Sequence, residues 1–250
     1  SRDDTHAGNP DIVLTNQSHR EWVYRQAFEV GRHIVGYEVQ KVLAAVDALE
    51  AFNKDLQQNL PIGVAGVGDG GMLAMHASAL DQRIDATWIA GYFQPREGVW
   101  EEPIDRNVWR LLDEFGDAEV AAMIAPRPLV IEAAKVPEVV TPLPVKQGRR
   151  AGAAPGKIQT AALDAVRSEF ARLSPVYRDL KAADKVTLVD GTPDSSAGSA
   201  PALAAFLKGL GVKSEAVGES EPVKLETRID ADVRQLRQMN ELVAHTQRIL

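Results

Sequence analysis

Residues 61–71 read Pro-Ile-Gly-Val-Ala-Gly-Val-Gly-Asp-Gly-Gly, and a helical stretch from Met72 to Leu80 follows at once. A short apolar strand, Ile62–Val67, therefore runs through a glycine-packed turn straight into a helix. The pattern repeats along the chain. Thr87–Ala90, reached through Asp85-Ala86, reads as a second strand, Pro128–Ala133 as a third and Lys185–Val189 as a fourth. Helices are expected over 72–80, 105–123, 160–173 and 200–210. Strands alternating with helices build an α/β fold, a mostly parallel sheet with flanking helices on both faces.

Ahead of the first strand, Ile34, Val35, Val39, Val42, Leu43, Val46 and Leu49 recur at intervals of three and four. That spacing makes one buried stripe on a helical stretch from about Glu21 to Phe52, and Gly31 and Gly36 weaken its middle enough to divide it. Residues 1–19 read as irregular. Two segments interrupt the rhythm further on. Residues 134–159 carry Pro137, Pro142, Pro144 and Pro155 with no periodicity, the mark of a long surface insertion. Residues 191–200 form a second loop at a strand end. Beyond Gly218 the chain turns polar, and Val233, Leu236, Met239, Leu242 and Val243 sit at helical spacing. The expected organisation is an α/β domain over 1–218, with the 134–159 insertion, and a C-terminal helical extension over 219–250.

A chain of 250 residues suffices for one large α/β domain or two small ones. The formal net charge of −7 speaks against nucleic acid as a partner. No apolar run approaches the roughly 18 residues of a membrane span, so no membrane partner is expected. With no cysteine, disulfides, thiolate catalysis and cysteine-based zinc sites are excluded. No His, Asp or Glu cluster has metal-ligand spacing, and neither a metal nor another cofactor is expected. The compartment stays open between extracytoplasmic and cytoplasmic for a soluble protein.

Three further runs carry a resemblance: Gly31-Arg32-His33-Ile34-Val35-Gly36-Tyr37-Glu38-Val39-Gln40, Asp81-Gln82-Arg83-Ile84-Asp85-Ala86, and Ile124-Ala125-Pro126-Arg127-Pro128-Leu129-Val130-Ile131-Glu132. With the strand–turn–helix at 61–80, they resemble α/β-hydrolases of the dienelactone hydrolase and acetyl xylan esterase type. The resemblance covers about residues 20–133 and, more thinly, 160–210. It implies that the turn is a nucleophile elbow, in which a serine flanked by glycines sits between strand and helix. In that register Gly66 and Gly70 are the flanking glycines and Gly68 holds the serine position. The resemblance also implies an acid at a later strand end, where Glu132 stands, and a histidine after the last strand. Residues 191–210 contain no histidine. Only about twenty residues precede the first helix, so the N-terminal strands of such a sheet are expected to be absent and the chain to be a section of something larger.

Two functions follow as expectations. The first is a hydrolase-like domain without its nucleophile, serving binding, assembly or regulation. The alternative is a carboxylic-ester hydrolase, of acetyl-ester or dienelactone type, that uses Asp69 and Glu132 with a histidine from elsewhere. Asp69 lies at a helix N-terminus, where a carboxylate is stabilised, and carboxylates can serve as covalent nucleophiles. Its plainer role is that of a helix-starting residue. Gly66, Gly68 and Gly71 also fit G-x-G-x-x-G, with Asp85 as the distal acid of a dinucleotide fold, but Asp85 opens the next strand when it should close it. His76 and His33 read as packed helical histidines. Arg96, Glu97, Trp100, Glu101 and Glu102 follow the second strand and either line a pocket for a sugar or small ester, or form a lid that packs Trp100 and Trp109 onto the core. The expected partners are a small ester or carbohydrate ligand and other protein segments or subunits that complete the fold.

Overall fold

Four parallel strands in sequential order form the sheet on which everything else is hung. The structure is a computed structural model and describes residues 2, 5, 14–190, 195–212 and 230–250. In chain order the elements are α1 (His19–Glu29), α2 (Ile34–Asp55), β1 (Gly63–Val67), α3 (Asp69–Leu80), β2 (Ala86–Ala90), α4 (Leu111–Glu114), α5 (Asp117–Ala122), β3 (Leu129–Glu132), β4 (Val139–Thr141), β5 (Gly156–Ile158), α6 (Leu163–Asp179), β6 (Val186–Val189), α7 (Ala200–Gly209) and α8 (Ala231–Ile249). Strands β1, β2, β3 and β6 pair as parallel neighbours, with Gly63 opposite Ala86, Thr87 opposite Leu129 and Leu129 opposite Val186. The expected α/β class, a mostly parallel sheet with flanking helices, is the one observed.

The sheet is covered on both faces, as continuous apolar strands require. Alternate residues of β2 show which helix lies where. The Thr87 hydroxyl donates to Ser78 Oγ of α3 at 2.7 Å, whereas the neighbouring Trp88 ring meets Phe206 of α7 at 5.9 Å between centroids. Helix α3 and helix α7 therefore take opposite faces. The two inner strands are almost wholly buried, with Ile89, Leu129 and Ile131 at 0% exposure. Strands β1 and β6 are the two edges of the sheet, and β1 is the more exposed. Among the described residues it pairs with β2 alone, and Val67 is 49% exposed.

Most element boundaries fall where periodicity placed them, and the exceptions have physical causes. The long first helix divides at Gly31, which takes a left-handed φ of 66°, and α2 restarts when His33 Nδ1 accepts the Val35 N–H at 3.1 Å. Gly36 lies inside α2 and breaks nothing. The helix expected over 105–123 does not form. Asp105 and Arg106 turn inward as buried ion-pair partners, Arg110 adopts φ 62°, and Gly116 caps a new helix, so only single 3-10 turns at 99–101 and 104–106 and the short α4 and α5 remain. The 134–159 insertion is not wholly irregular: β4 and β5 form an antiparallel ribbon within it. The stretch 219–229 lies outside the described residues. Helix α8 packs Met239, 6% exposed, beside the core and stacks His245 edge-on against Tyr37 of α2.

The Ala-Pro-Arg-Pro run does structural work. Arg127 donates to the carbonyls of Ser78, Asp81 and Ile84 at 2.6–3.0 Å, and its own carbonyl accepts from the buried Tyr177 hydroxyl at 3.0 Å. One guanidinium thus closes the carbonyl-rich end of α3 and the loop into β2.

Candidate functional site

The turn between β1 and α3 has the shape of an elbow. Gly68 sits at φ 55°, ψ −120°, its N–H donates to Ala90 O at 2.9 Å, and its carbonyl accepts the Met72 N–H at 3.0 Å. A side chain at φ above zero is strained, which is why glycine is at ease here and why nucleophile elbows store strain. The flanking glycine is required for a second reason. A Cβ on Gly66 would stand 2.0 Å from the Gly70 carbonyl oxygen, so the strand and helix approach closely only because position 66 has no side chain. Position 68 is different: a Cβ there meets only the Val136 side chain, with Cγ1 at 3.6 Å and Cβ at 4.0 Å. The turn has room for a Cβ at position 68, at the cost of the strain that its positive φ imposes.

Asp69, the first residue of α3, is fully engaged. Its Oδ1 accepts from Arg106 Nε at 2.7 Å and its Oδ2 from Arg2 Nη2 at 3.0 Å, with Arg20 Nε at 4.0 Å. Burial opposes ionisation of this carboxylate, but Arg106, Arg2 and Arg20 outweigh it and pull its pKa down to about 2. The pairing extends in both directions. Arg2 and Arg20 also hold Asp105, at 2.9 and 2.6 Å, and Arg20 reaches Glu38 of α2. Arg106 and Arg96 share Glu102, at 3.1 and 2.8 Å, and Arg96 holds Asp117 at 2.8 Å while lying 3.7 Å over the Tyr92 ring. This network joins the N-terminal segment, α1, α2, the elbow and α5.

Glu132, the last residue of β3, is 3% exposed and lies on the α7 side of the sheet. It accepts Trp88 Nε1–H at 3.1 Å, Gly198 N–H at 3.1 Å and Ser199 N–H at 2.9 Å. Ser199 is the N-cap of α7, so the carboxylate also faces the positive end of that helix. Asp69 and Glu132 have no partner in common. The structure places Asp69 among arginines at the start of α3 and Glu132 under the start of α7.

The remaining candidates separate cleanly. His33 caps α2 through Nδ1 and donates through Nε2 to Asn107 O at 3.1 Å; burial lowers its pKa, and the ring serves as a neutral tie between two segments. His76 points Nδ1 at Met72 O, 2.8 Å away on its own helix. Asp85 accepts the Ile62 N–H at 2.7 Å and so binds the entrance of β2, at the opposite end from the glycine turn, where it cannot meet a ribose held at that turn. Among the described residues no group of three or more His, Asp or Glu side chains is placed to hold a metal ion. No helix of the described residues is long and apolar enough to cross a membrane. Trp100 and Trp109 do not pack onto the core as a lid: they are 74% and 75% exposed.

Arg2, Arg20, Asp105 and Arg106 went unnoticed in the sequence. None of them belongs to a motif, and Arg2 lies 67 positions from Asp69 and 103 from Asp105. The one signal available was the interruption of helical periodicity near 105, where a charged pair occupies the inward face.

No protein-family model matches the chain, and no curated protein does. Among solved structures, the chain is similar to a methylesterase (20% identity, TM-score 0.47, covering 68% of this chain and 34% of that one). It is also similar to glucuronoyl esterases from Solibacter usitatus (16%, 0.43, 72% and 49%) and Teredinibacter turnerae (14%, 0.45, 68% and 44%). The chain thus spans less than half the length of these structures.

Proposed function

We propose that this chain is a hydrolase-like scaffold that works without acyl-transfer chemistry at its elbow, in binding, assembly or regulation. The observation that carries the reading is Gly68: the tip of the strained turn has space for a reactive side chain and no atom to react. The adjacent carboxylate is a poor substitute. General bases work best with a pKa near the working pH, whereas Asp69 is held at about 2 by its arginines. Glu132 directs its oxygens at three N–H donors that organise α7. The unpaired β1 edge suits the assembly role, since a strand from another protein segment or subunit added there would extend the sheet.

The competing reading, ester hydrolysis by Asp69 and Glu132 with a histidine from elsewhere, is decided by the same assay. Hydrolysis of p-nitrophenyl acetate is measured for the wild type, Asp69→Ala and Gly68→Ser. The scaffold reading expects no turnover above buffer in the wild type and none in Asp69→Ala. Wild-type turnover that disappears in Asp69→Ala, with the melting transition still present, refutes it. Any activity gained in Gly68→Ser would show that the elbow still positions a hydroxyl.

A further inference from the structure

Trp100 and Trp109, at 74% and 75% exposure, are the most exposed aromatics among the described residues. Both line one open groove of about 630 Å³ beyond the C-terminal end of β2, together with Glu97, Asn107, Arg110 and Asp113. Large apolar rings in the open mark binding surfaces more often than chance packing. A second observation points the same way. Arg110, between the groove and α4, is held at φ 62°, ψ 0°, a left-handed conformation that non-glycine residues adopt at a cost and that clusters at ligand sites. That turn sets Trp109 beside α4, and the exposed Arg110 Nε donates to Asp113 at 3.1 Å.

We propose that this groove binds a neutral oligosaccharide. A pyranose ring has an apolar C–H face and a polar rim of hydroxyls. Two indoles offer the faces, and a carboxylate, an amide and a guanidinium–carboxylate pair offer partners for the rim. The core of a protein–protein interface is depleted of charge, while here three charged side chains sit among the aromatics. A membrane surface calls for clustered cations, and the groove has an acidic surplus. That surplus also decides the class of sugar. Arg110 is already paired with Asp113, and Glu97 adds another negative charge, so a uronic-acid polymer is repelled where a neutral one is not.

A second, smaller cavity shares part of the groove's lining. Asn107 and Val108 line both the groove and a cavity of about 30 Å³ bounded by His76, Tyr92 and Asp117. His76 Nδ1 faces a carbonyl, which only accepts, so that nitrogen carries the proton. Its Nε2 is buried and, among the described residues, without a partner. This small cavity holds about one water, enough for a single hydroxyl or a bridging water that meets this nitrogen. The inference is independent of the elbow: it holds whether or not the turn at Gly68 supports chemistry.

The test is titration of the full chain with xylohexaose, cellohexaose and mannohexaose, and with trigalacturonate as the acidic comparison, by calorimetry and tryptophan fluorescence. At least one neutral hexaose is expected to bind with Kd of about 1 mM or tighter. Trp100→Ala and Trp109→Ala are each expected to weaken it about tenfold or more with an unchanged melting transition, since both side chains are exposed. No binding by any neutral hexaose at about 10 mM overturns the proposal, as does binding that survives both substitutions. Trigalacturonate binding as tightly as the best neutral sugar overturns the neutral assignment. Self-association that depends on the two indoles, without sugar binding, assigns the groove to a second copy of the chain and overturns it as well.

Discussion

The sharpest consequence of the ionic network concerns Asp69→Asn. The substitution keeps the size of the side chain and one acceptor oxygen but removes the charge that Arg106, Arg2 and Arg20 surround. Its effect is set by linkage. A carboxylate whose pKa falls from 3.8 to about 2 on folding contributes about 2 kcal/mol at neutral pH, taking about 1.36 kcal/mol per pH unit. The sign follows from the direction: the folded pKa is depressed, so the contribution is complete above the unfolded pKa and is lost as pH falls through the folded one. Asp69 retains 29% side-chain exposure, which keeps the effect well below that of breaking a fully buried pair. Urea unfolding of wild type and variant at pH 7 is therefore expected to differ by about 2 kcal/mol, the gap shrinking to roughly half near pH 3 and closing near pH 2. A variant as stable as wild type at pH 7, or a deficit that does not change with pH, would refute the argument. Either outcome would mean that the arginines do not stabilise the Asp69 charge in solution.

Two further substitutions test other parts of the structure. Gly66→Ala drives a Cβ to 2.0 Å from the Gly70 carbonyl, a backbone atom that cannot swing away, and is expected to cost more than about 3 kcal/mol or to abolish soluble expression. Gly70→Ala meets nothing within 4 Å and is expected to be neutral or to stabilise by up to about 1 kcal/mol; equal melting temperatures for the two variants would disprove the packing account. Glu132→Ala strips the acceptor from Trp88 Nε1–H and from the Gly198 and Ser199 amides, and is expected to cost about 3 kcal/mol. Hydrogen exchange reads its origin: the Ser199 amide should lose protection first, and unchanged exchange there would remove Glu132 from its assigned role.

How much of this was visible beforehand depends on the range of the interaction responsible. The four strands of the sheet and the helices α3 and α7 were legible because each is written in adjacent residues: an apolar run, a glycine turn, a helical period. The break near Gly31 was legible for the same reason, since one residue favours a left-handed turn there. That the tip of this turn is a glycine was legible too, because a residue type is a property of one position. The helix expected over 105–123 failed because its inward positions are charged, and whether a charge can be buried depends on partners elsewhere in the chain. Arg20 and Arg106 come to Asp69 from other elements, and Asp117 finds Arg96 from across a loop.

Likewise, the sequence marked Trp100 and Trp109 as notable but not the side to which they turn. Trp109 stands next to the left-handed Arg110, and buried Asp105 and Arg106 tie down the same segment. Local steric preference and hydrophobic period thus determined the α/β class and the glycine-packed turn from the sequence by itself. Which charges met, which carboxylate was neutralised and which aromatics stayed in water were decided only in the tertiary structure. Burying a charge is favourable only once distant partners converge on it, and no short stretch of chain encodes that convergence.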